Sequence, residues 1–575
     1  MRLAGTGSGA RTGSVALAKH RIGVLLATFA LLFSTLAFRL VDITQLAGNK
    51  EEVASYVRPQ DGISRRDIVD RNGAPLATDV LVSGVGVDPR DVPKDPDTIR
   101  SIAAVLGRDP LVVDRLLRSE RHFVWLERRI GPKQQADLLS LGIPGLEFRE
   151  QPRRVYPQAT LVAHMIGQTG IDNAGLSGIE QRFDRSIRTD ATTHDREPFT
   201  LSIDLRIQQA LREELMAGIR TYEARAANGM IMDVRTGELL AMVSLPDFDA
   251  NRPIGPDDER RSNRNTEGVY EVGSLFKTLT LATLMDAGVV KMNDMWDTTK
   301  RLQIGRRSIG DSHPLKRWAS TTDVFINSSN IGTARMALAG GAALQRQYLE
   351  KLRLLERPQL EVPGVSSPLV PRRWPDITVA VVSYGQTLAI TPLSFLNAFS
   401  AVVNGGTLRP ATLVRRDPSQ PLPGERVISE KASAQIRELL WLNVVDGTGT
   451  KARVPGMMVG GKTGTADKPV NGHYIKGNVI ASFVAAFPMN EPRYAVLVML
   501  DNPVANSASS GFRYGSWNAA PVTGRVINRI APLLGVPLVP QSEEDEFLEA
   551  APAEIRDKEL ARRAKEARVA ALELH

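Results

Sequence analysis

Cysteine is absent from this chain of 575 residues. Its absence excludes disulfide bonds, thiolate ligands for a metal and a cysteine nucleophile, although it does not fix the cellular compartment. The seven histidines are dispersed, and no two of them stand in the His-x-x-x-His spacing with which one helix face binds zinc. The sequence therefore favours neither a thiol enzyme nor a zinc enzyme.

Clusters of basic residues are also missing. Lys and Arg (72) outnumber Asp and Glu (64) and give a net charge of +8, but this excess is scattered along the chain. Because there is no arginine-rich helix and no basic stretch interleaved with aromatic residues, nucleic-acid binding is unsupported. The positive balance instead fits an anionic neighbourhood such as a membrane surface.

Acidic residues are missing from the first 21 positions, and no charge at all occurs from residue 22 to residue 38. With the two apolar residues after Arg39, this run approaches the roughly 20 residues that a bilayer needs. We predict a cytoplasmic tail (1–21), an uncleaved transmembrane anchor (22–41) and the rest of the chain outside the cytoplasm, since positive flanks stay inside. The alternative is a cleaved signal peptide, which would have a shorter apolar region and a small-x-small site.

The length predicts more than one domain, because single cores stop growing at about 250–300 residues. We predict a pedestal domain at 42–198, where Asn72-Gly73 indicates a hairpin and no nucleophile-and-base constellation occurs. A second domain is expected at 199–540. The tail, 541–575, is rich in Glu, Lys, Arg and Ala, which predicts a frayed surface helix or disorder.

The second domain mixes the signals of helices and strands. Asp204 can cap one helix, and Pro392 can open another at its first helical position. Two apolar runs of strand length, Ser482–Phe487 and Tyr494–Leu500, follow near the end of the domain. Helices placed between clustered strands predict an α/β (α+β) domain with a sheet sandwiched between helices.

The pentapeptide Gly273-Ser274-Leu275-Phe276-Lys277 carries a serine and a lysine three residues apart. Apolar residues follow at helical spacing and predict a buried helix, on which Ser274 and Lys277 share one face. Burial favours a neutral amine, and a neutral amine within reach of a hydroxyl can activate it as a nucleophile. Alone the pair carries little weight, because Ser-x-x-Lys is expected by chance roughly once in a chain this long.

A second pattern, Ser328-Ser329-Asn330, lies downstream. A serine acyl-transfer site needs a route by which a proton reaches the leaving group, as well as donors for the oxyanion. We expect Ser328 to relay that proton and Asn330 to hold Lys277 and a substrate amide. The alternative for Ser-x-Asn taken alone is an ordinary turn.

A third pattern, Lys462-Thr463-Gly464-Thr465, is much rarer by chance. A substrate that ends in a carboxylate needs a cation and hydroxyls, which Lys462, Thr463 and Thr465 can supply. Gly464 can let a substrate backbone lie close against a strand. The candidate oxyanion donors are the backbone N–H groups of Ser274 and Thr465.

These three motifs, in this order, are the set found in penicillin-binding proteins and class A β-lactamases. The chain resembles the class B penicillin-binding proteins, which are membrane-anchored peptidoglycan D,D-transpeptidases. Further stretches that are similar to this family are Arg66–Gly73, Gly178-Ile179-Glu180, Gly237-Glu238, Gly447-Thr448-Gly449 and Ser482-Phe483. The resemblance implies a non-catalytic pedestal, then a transpeptidase domain with a five-stranded sheet between helices, and no metal or organic cofactor.

The resemblance also implies an activity, partners and a location. It implies cross-linking of peptidoglycan stem peptides on lipid-linked precursor strands through an acyl-serine, with β-lactams as inhibitors. It further implies an inner-membrane protein with a periplasmic catalytic domain, and divisome membrane proteins, including a glycosyltransferase, as partners.

Within the family, His313 and the stretch Lys316–Trp318 resemble the septal, cell-division type, and the elongation type is the alternative. One stretch departs from the family. Residues 383–387 stand where a glycine-rich Tyr-Gly-His-Gly-like sequence is usual, and Gln386 replaces the expected residue. The contacts of this loop are therefore left open.

Other classes of protein share parts of this pattern. Residues 456–463 fit the Walker A motif, but a P-loop opens into a helix, and Gly464 and Pro469 argue against one. A hydrolytic β-lactamase uses the same three motifs. A non-catalytic penicillin sensor would need a cytoplasmic signalling domain, for which residues 1–21 are too few. A bifunctional synthase would need a glycosyltransferase motif, which residues 43–198 lack.

Overall fold

The structure is a computed structural model that describes residues 64–189, 197–252, 254–255, 257–470 and 473–573, together with residues 23–24, 27–35 and 37. The predicted cytoplasmic tail lies outside the described residues, as does part of the predicted anchor, of which residues 27–35 are helical. Within the described part of the chain, no helix is both long enough and apolar enough to cross a bilayer.

Helices and strands are numbered in chain order. The helices are α1 (Pro96–Leu106), α2 (Pro110–Leu117), α3 (Pro132–Ser140), α4 (Ala163–Ile166), α5 (Gly178–Arg182), α6 (Asp184–Ile187), α7 (Leu205–Tyr222), α8 (Lys277–Asp286), α9 (Thr321–Ile326), α10 (Asn330–Lys351), α11 (Asp376–Val382), α12 (Pro392–Val403), α13 (Glu430–Asp446), α14 (Ala519–Leu533), α15 (Gln541–Ala550) and α16 (Ala553–Glu573). The strands are β1 (Ser64–Arg65), β2 (Ile68–Val69), β3 (Pro75–Val87), β4 (Val124–Ile130), β5 (Leu146–Val155), β6 (Arg188–Thr189), β7 (Phe199–Thr200), β8 (Ala226–Asp233), β9 (Leu239–Leu245), β10 (Met295–Asp297), β11 (Leu302–Ile304), β12 (Arg307–Ile309), β13 (Trp318–Ser320), β14 (Thr407–Leu408), β15 (Glu425–Arg426), β16 (Gly460–Val470), β17 (His473–Phe487) and β18 (Tyr494–Asp501).

The chain forms two compact units, one of residues 1–62 and 81–153 and the other of residues 63–80 and 154–575. In the first unit, the helices α1 and α2 begin at aspartate caps, because Asp95 and Asp109 each accept hydrogen bonds from the backbone of the first turn. Buried aliphatic side chains of α1, α2, α3, β3 and β4 form its core. These compact units divide the chain differently from the predicted domains, whose boundaries stay predictions.

A buried group of charges lies within the second unit. The carboxylate of Glu180 pairs with Arg65 and with Arg154, each at 2.7 Å, and all three side chains are fully buried. The same arginines also pair with Asp184 (2.6 Å) and with Asp79 (3.1 Å). Buried charges persist only when they are paired and hydrogen-bonded. This pairing gives the Gly-Ile-Glu stretch of the sequence a structural role.

The second unit is built on a five-stranded antiparallel sheet with the strand order β16-β17-β18-β8-β9. The two apolar runs predicted as strands lie in β17 and β18. Residues 479–487 of β17 and all of β18 are buried on both faces, so apolar side chains occupy nearly every position there rather than alternate ones. The predicted fold class is confirmed.

Helices cover both faces of the sheet. On one face, Phe483 and Phe487 pack into a core that includes residues of α7 and α14. On the other face, Val484 and Ala486 join the core of α8, α12 and α13. The predicted starts of two helices are also confirmed, because Asp204 caps α7 and Pro392 is the first residue of α12.

The C-terminal segment is helical, in line with the first of its two predictions (a frayed surface helix or disorder), but part of it is docked rather than frayed. Residues 541–550 and 553–573 are helical, and Leu548, Ala551 and Ile555 are buried in the core of the second unit. Residues 564–569 are exposed, as expected of a surface helix. The composition of the segment did not reveal this docking. Its many charged residues dominate the average hydrophobicity, whereas the contact depends on a few apolar side chains.

Candidate active site

Ser274 lies in a short 3₁₀ turn, Gly273–Phe276, that leads directly into α8. Its side chain is half-buried, whereas its neighbours Leu275 and Phe276 are buried. Helix α8 is buried on nearly all sides, as the sequence predicted. The turn therefore holds Ser274 at the end of a rigid, deeply packed helix.

Lys277 is fully buried at the first position of α8. Its amine donates to the carbonyl oxygen of Ser328 (2.5 Å) and to Ser328 Oγ (3.1 Å). Among the hydrogen bonds of the described residues, none joins Lys277 Nζ to Ser274 Oγ. The predicted direct pairing of serine and lysine is thus not made in this state, and Ser328 takes that place; catalytic contacts are often looser without substrate.

Lys462, on β16, is the second fully buried lysine of the site. Its amine donates to Ser328 Oγ (3.0 Å) and lies 3.5 Å from Thr463 Oγ1. Two amines from distant parts of the chain therefore meet at one hydroxyl. A hydroxyl has two acceptor positions and one proton, so Ser328 can accept from both amines and still donate its own proton.

The backbone of Ser328 is held in the left-handed region, with φ of 57°. A residue other than glycine reaches this region only at a local cost, and such residues cluster at functional sites. Here the conformation lies between α9 and α10, and it places the Ser328 hydroxyl between the two lysine amines. The strain supports the predicted importance of Ser328.

Burial changes the protonation of both lysines. It lowers the pKa of Lys462 to about 7. Burial and the nearby Lys462 lower the pKa of Lys277 well below its ordinary value, whereas the carboxylate of Asp311 raises it. Two adjacent amines in a dry site cannot both stay charged at low cost, so the pair favours one neutral amine and one ammonium. That division supplies a base and a cation.

Asp311 organises the second motif. Its carboxylate accepts hydrogen bonds from Ser329 Oγ (2.6 Å), from Asn330 N (2.5 Å) and from Ile331 N (3.0 Å) at the beginning of α10. A carboxylate at a helix N-terminus binds free N–H groups and complements the helix dipole. Asp311 therefore fixes the turn that presents Ser328.

Sequence reasoning missed Asp311. It is a single acidic residue in a loop well before the motif it supports, and no local spacing connects the two. The side chain of Asn330 also differs from its prediction in this state. Its Nδ2 donates to the Gly310 carbonyl (3.3 Å), and no hydrogen bond of the described residues joins it to Lys277.

The edge strand β16 presents the third motif. It pairs with β17 on one side only, in a register that places Gly464 opposite Ser482. A Cβ on Gly273 would lie 2.7 Å from the carbonyl oxygen of Thr465, so that carbonyl faces the Ser274 turn. The N–H and C=O of one strand residue point to the same side, and the N–H of Thr465 therefore faces the turn as well.

Gly464 is required by the packing of this strand. A Cβ at this position would lie 2.4 Å from Ser482 Oγ and 2.7 Å from Leu275 Cγ. Only glycine lets β16 approach the Ser274 turn so closely. This packing explains the glycine without a ligand, and the proposed approach of a substrate backbone stays a prediction.

The hydroxyls of the third motif already have partners. Thr463 Oγ1 shares a hydrogen bond of 2.7 Å with Thr448 Oγ1, and Thr465 Oγ1 accepts from Gly515 N (3.0 Å). Thr448 in turn donates from its backbone and its hydroxyl to Asn443 Oδ1, each at 3.1 Å. The sequence suggested Thr448 only through the family resemblance, and it carried no sign of Asn443.

The loop that departs from the family contacts the Ser274 turn through its backbone. Gly273 N donates to the carbonyl of Gly385 (3.1 Å), and Thr387 N donates to Glu271 Oε1 (2.8 Å). A Cβ on Gly385 would lie 2.1 Å from Gly273 O, so this approach requires glycine. The side chain of Gln386 is exposed.

The three sequence motifs thus come together around Ser328 and the Ser274 turn. The Walker A interpretation is wrong, because Lys462 lies within the strand β16, which continues to Val470, whereas a P-loop lysine stands at the start of a helix. A buried base, a proton carrier, a cation and an edge strand whose outer backbone N–H groups are free of sheet pairing are the parts that acyl transfer to a serine requires.

Comparisons with known proteins agree with this arrangement. A family model described as the penicillin binding protein transpeptidase domain matches residues 228–526, and one described as the penicillin-binding protein dimerisation domain matches residues 62–195. The probable peptidoglycan D,D-transpeptidase FtsI of Caulobacter vibrioides is 40% identical over 84% of this chain and 83% of that protein. The chain belongs to the class B penicillin-binding proteins.

Other relatives of this class B penicillin-binding protein extend the comparison. The peptidoglycan D,D-transpeptidase FtsI of Escherichia coli K12 is 29% identical over 88% of this chain and 90% of that protein. The crystal structure of penicillin-binding protein 3 from Mycobacterium tuberculosis with aztreonam has a TM-score of 0.66, with 24% identity over 84% of this chain and 98% of that chain. That similarity supports the fold.

A substitution of Asp311 tests the electrostatic support of the site. We expect Asp311→Asn to slow acylation by a penicillin by about tenfold, because a neutral amide caps the start of α10 less strongly. The acid limb of the acylation rate against pH should also move to lower pH. The reason is that a carboxylate which raises the pKa of Lys277 has been removed, so its amine becomes neutral at lower pH.

Asp297→Asn is the matched control, because Asp297 pairs with Arg335 away from the lysines. A lower rate with an unshifted acid limb in Asp311→Asn would contradict the electrostatic role. It would leave Asp311 as a helix cap only.

Proposed function

We propose that this protein is a peptidoglycan D,D-transpeptidase that cross-links stem peptides through an acyl-enzyme on Ser274, and that it acts in septal wall synthesis. The observation that carries the proposal is the meeting of two buried lysines at Ser328, beside a serine nucleophile that faces an edge strand. The relatives named as peptidoglycan D,D-transpeptidases FtsI support the same activity.

Acylation begins with the nucleophile. Ser274 Oγ attacks the carbonyl carbon of the penultimate D-alanine, and neutral Lys277 accepts the serine proton. The backbone N–H groups of Ser274 and Thr465 stabilise the oxyanion. The peptide C–N bond then breaks and the departing amine takes a proton through Ser328, which leaves an ester on Ser274 and free D-alanine.

Deacylation reverses these roles. An amine from a neighbouring stem peptide attacks the ester carbonyl and gives up one proton, through Ser328, to neutral Lys277. A new amide bond forms as the ester C–O bond breaks, and Lys277 returns that proton to the departing Ser274 Oγ. A β-lactam would follow only the first half of this path. Its leaving group stays tethered to the acyl group, so the ester persists.

The terminal carboxylate of the substrate is assigned to the third motif. Burial lowers the pKa of Lys462 to about 7, and an approaching carboxylate raises it by favouring the ammonium form. The hydroxyl of Thr465 then donates to the carboxylate, and Thr463 does so by turning its proton from Thr448 to the carboxylate. Binding of the substrate therefore completes the division into one charged and one neutral lysine.

The location and the domain organisation complete the proposal. Residues 22–41 would anchor the protein in the inner membrane, residues 42–198 would form the pedestal, and residues 199–540 would form a periplasmic transpeptidase domain. The uncharged run and its basic flank support the anchor. Divisome membrane proteins, including a glycosyltransferase, are the proposed partners.

The nucleophile is tested by Ser274→Ala. We expect this variant to lose covalent labelling by a fluorescent penicillin, because the hydroxyl that forms the ester has been removed, while the melting temperature stays near that of the parent. Ser312→Ala, at an exposed serine, is the control and should label normally. Labelling that persists in Ser274→Ala at another residue, located by mass spectrometry, would contradict the assignment.

The carboxylate site is tested by Lys462→Ala. We expect acylation by a penicillin to slow roughly 10- to 100-fold, the loss expected when a hydrogen bond to a charged group is removed. A penicillin methyl ester, which has no carboxylate charge, should lose much less. Lys468→Ala, at a lysine of the same strand that pairs with Asp501, is the control. Equal losses for the acid and the ester would refute carboxylate recognition.

The septal role is tested by the position of the protein in cells. We expect a fluorescent fusion of the full chain in its native host to concentrate at mid-cell in dividing cells, as the names of the relatives suggest. A fusion spread evenly along the sidewall would instead support the elongation type.

A further inference from the structure

The C-terminal hairpin, defined here as residues 541–563 of α15 and α16, is attached to the catalytic unit by apolar contacts at one end. Leu548 and Ile555 are buried, and the ring of Phe547 lies edge-on against Trp441 of α13, with centroids 5.8 Å apart. The three active-site motifs lie in earlier parts of the chain. The hairpin therefore contains none of the three motifs.

One buried carboxylate lies at the centre of the charges on this hairpin. The side chain of Glu559 is only 3% exposed and accepts two hydrogen bonds of 3.0 Å from Arg453. Arg562 and Arg563 of the same helix also donate to it. A bidentate pair between arginine and a buried carboxylate is geometrically specific as well as strong.

Arg453 belongs to the segment that connects α13 to β16. It follows a 3₁₀ turn, Thr450–Ala452, and its guanidinium also donates to the carbonyl of Val445 in the last turn of α13 (3.3 Å). Arg453 thus holds the two ends of residues 445–453 together by a hydrogen bond, and Glu559 fixes the position of the Arg453 guanidinium.

The same segment reaches the active site. Thr448 lies inside it and shares a hydrogen bond with Thr463, the threonine that follows Lys462. Its backbone N–H lies 3.2 Å from the carbonyl of Ile326, two residues before Ser328. Asn443, at the base of the segment, donates to the carbonyl of Gly461 (2.7 Å). A shift of this segment would therefore move the Thr463 hydroxyl.

The hairpin packs loosely beside Arg453, although the neighbouring Ala452 is fully buried against α14. A cavity of about 420 Å³ separates the hairpin from the catalytic unit there, and Arg453, Val454 and Glu559 line it. Two ion pairs join the hairpin to the segment beside this space: Lys558 with Asp446 (3.2 Å), which is partly exposed, and Glu559 with Arg453, in which the carboxylate is buried. The effect of the Glu559 pair on the segment is larger than that of an exposed ion pair because Glu559 is buried.

We propose that Glu559 is a positioning residue, which acts through Arg453 and Thr448 to hold the Thr463 hydroxyl where it meets the carboxylate of the acyl donor. This inference rests on the proposed function, since it assigns the hairpin to the same reaction. The C-terminal hairpin is then part of the specificity of the site and not only a support for the fold.

The test compares acylation by a penicillin with acylation by its methyl ester, using the full chain. In Glu559→Gln we expect the rate for the acid to fall about tenfold, as for a misplaced hydrogen bond to a charged group, and the rate for the ester to fall much less. The ratio of the two rates is the readout, because a smaller folded fraction lowers both rates equally. Glu549→Gln, at an exposed glutamate of the same hairpin, should keep the parental ratio.

A second variant, in which the two charges of the pair are exchanged, separates loss of the ion pair from loss of the fold. In the double variant Arg453→Glu with Glu559→Arg, the pair is restored with opposite signs, and we expect the ratio to recover at least in part. An unchanged ratio in Glu559→Gln would overturn the inference. A parent protein that penicillin does not acylate would instead overturn the proposed function, so the two failures are distinguishable.

Discussion

The active site depends on two lysine amines that share one serine hydroxyl in the interior of the protein. Taking a single ammonium group out of water carries a penalty of several kcal/mol, and a second one nearby adds repulsion. The fold meets this constraint by depressing the basicity of both amines and by placing Asp311 behind the motif that carries Ser328. Burial of the two amines therefore both destabilises their charged forms and makes a neutral, reactive amine available.

The sheet makes such a site possible. Its strands are covered on both faces by helices, so the structure has enough buried apolar surface to hold polar groups at one edge. The edge strand β16 keeps one row of backbone groups free of sheet pairing, and the Ser274 turn lies against that row. The glycines at 273 and 464 set how closely the two elements approach.

Much of this arrangement can be predicted from the sequence, for physical reasons. The central parts of strands β17 and β18 are almost wholly apolar because both of their faces are covered, and Asp204 and Pro392 mark helix starts through local chemistry. Each of the three motifs is short and contiguous, so the residue types and their spacing are enough to indicate the family.

Other features escape prediction because they depend on contacts between distant parts of the chain. Asp311 caps a helix from a separate loop, and Asn443 and Thr448 reach β16 only after the fold has formed. The C-terminal segment is helical, as one of its two predictions had it, but its docking escaped prediction because average composition hides the few apolar side chains that make the contact. Lys277 donates to Ser328 and not to Ser274. This choice of partner depends on distances in the folded protein, which no sequence pattern contains.

The loop at 383–387 supports the Ser274 turn through the hydrogen bond from Gly273 N to the carbonyl of Gly385. Support of the nucleophile uses only peptide groups, so it does not depend on which side chain follows Gly385. Position 386 is exposed, and its side chain takes no part in this hydrogen bond. A substitution there therefore changes the surface beside the Ser274 turn and leaves the main-chain support of the nucleophile in place.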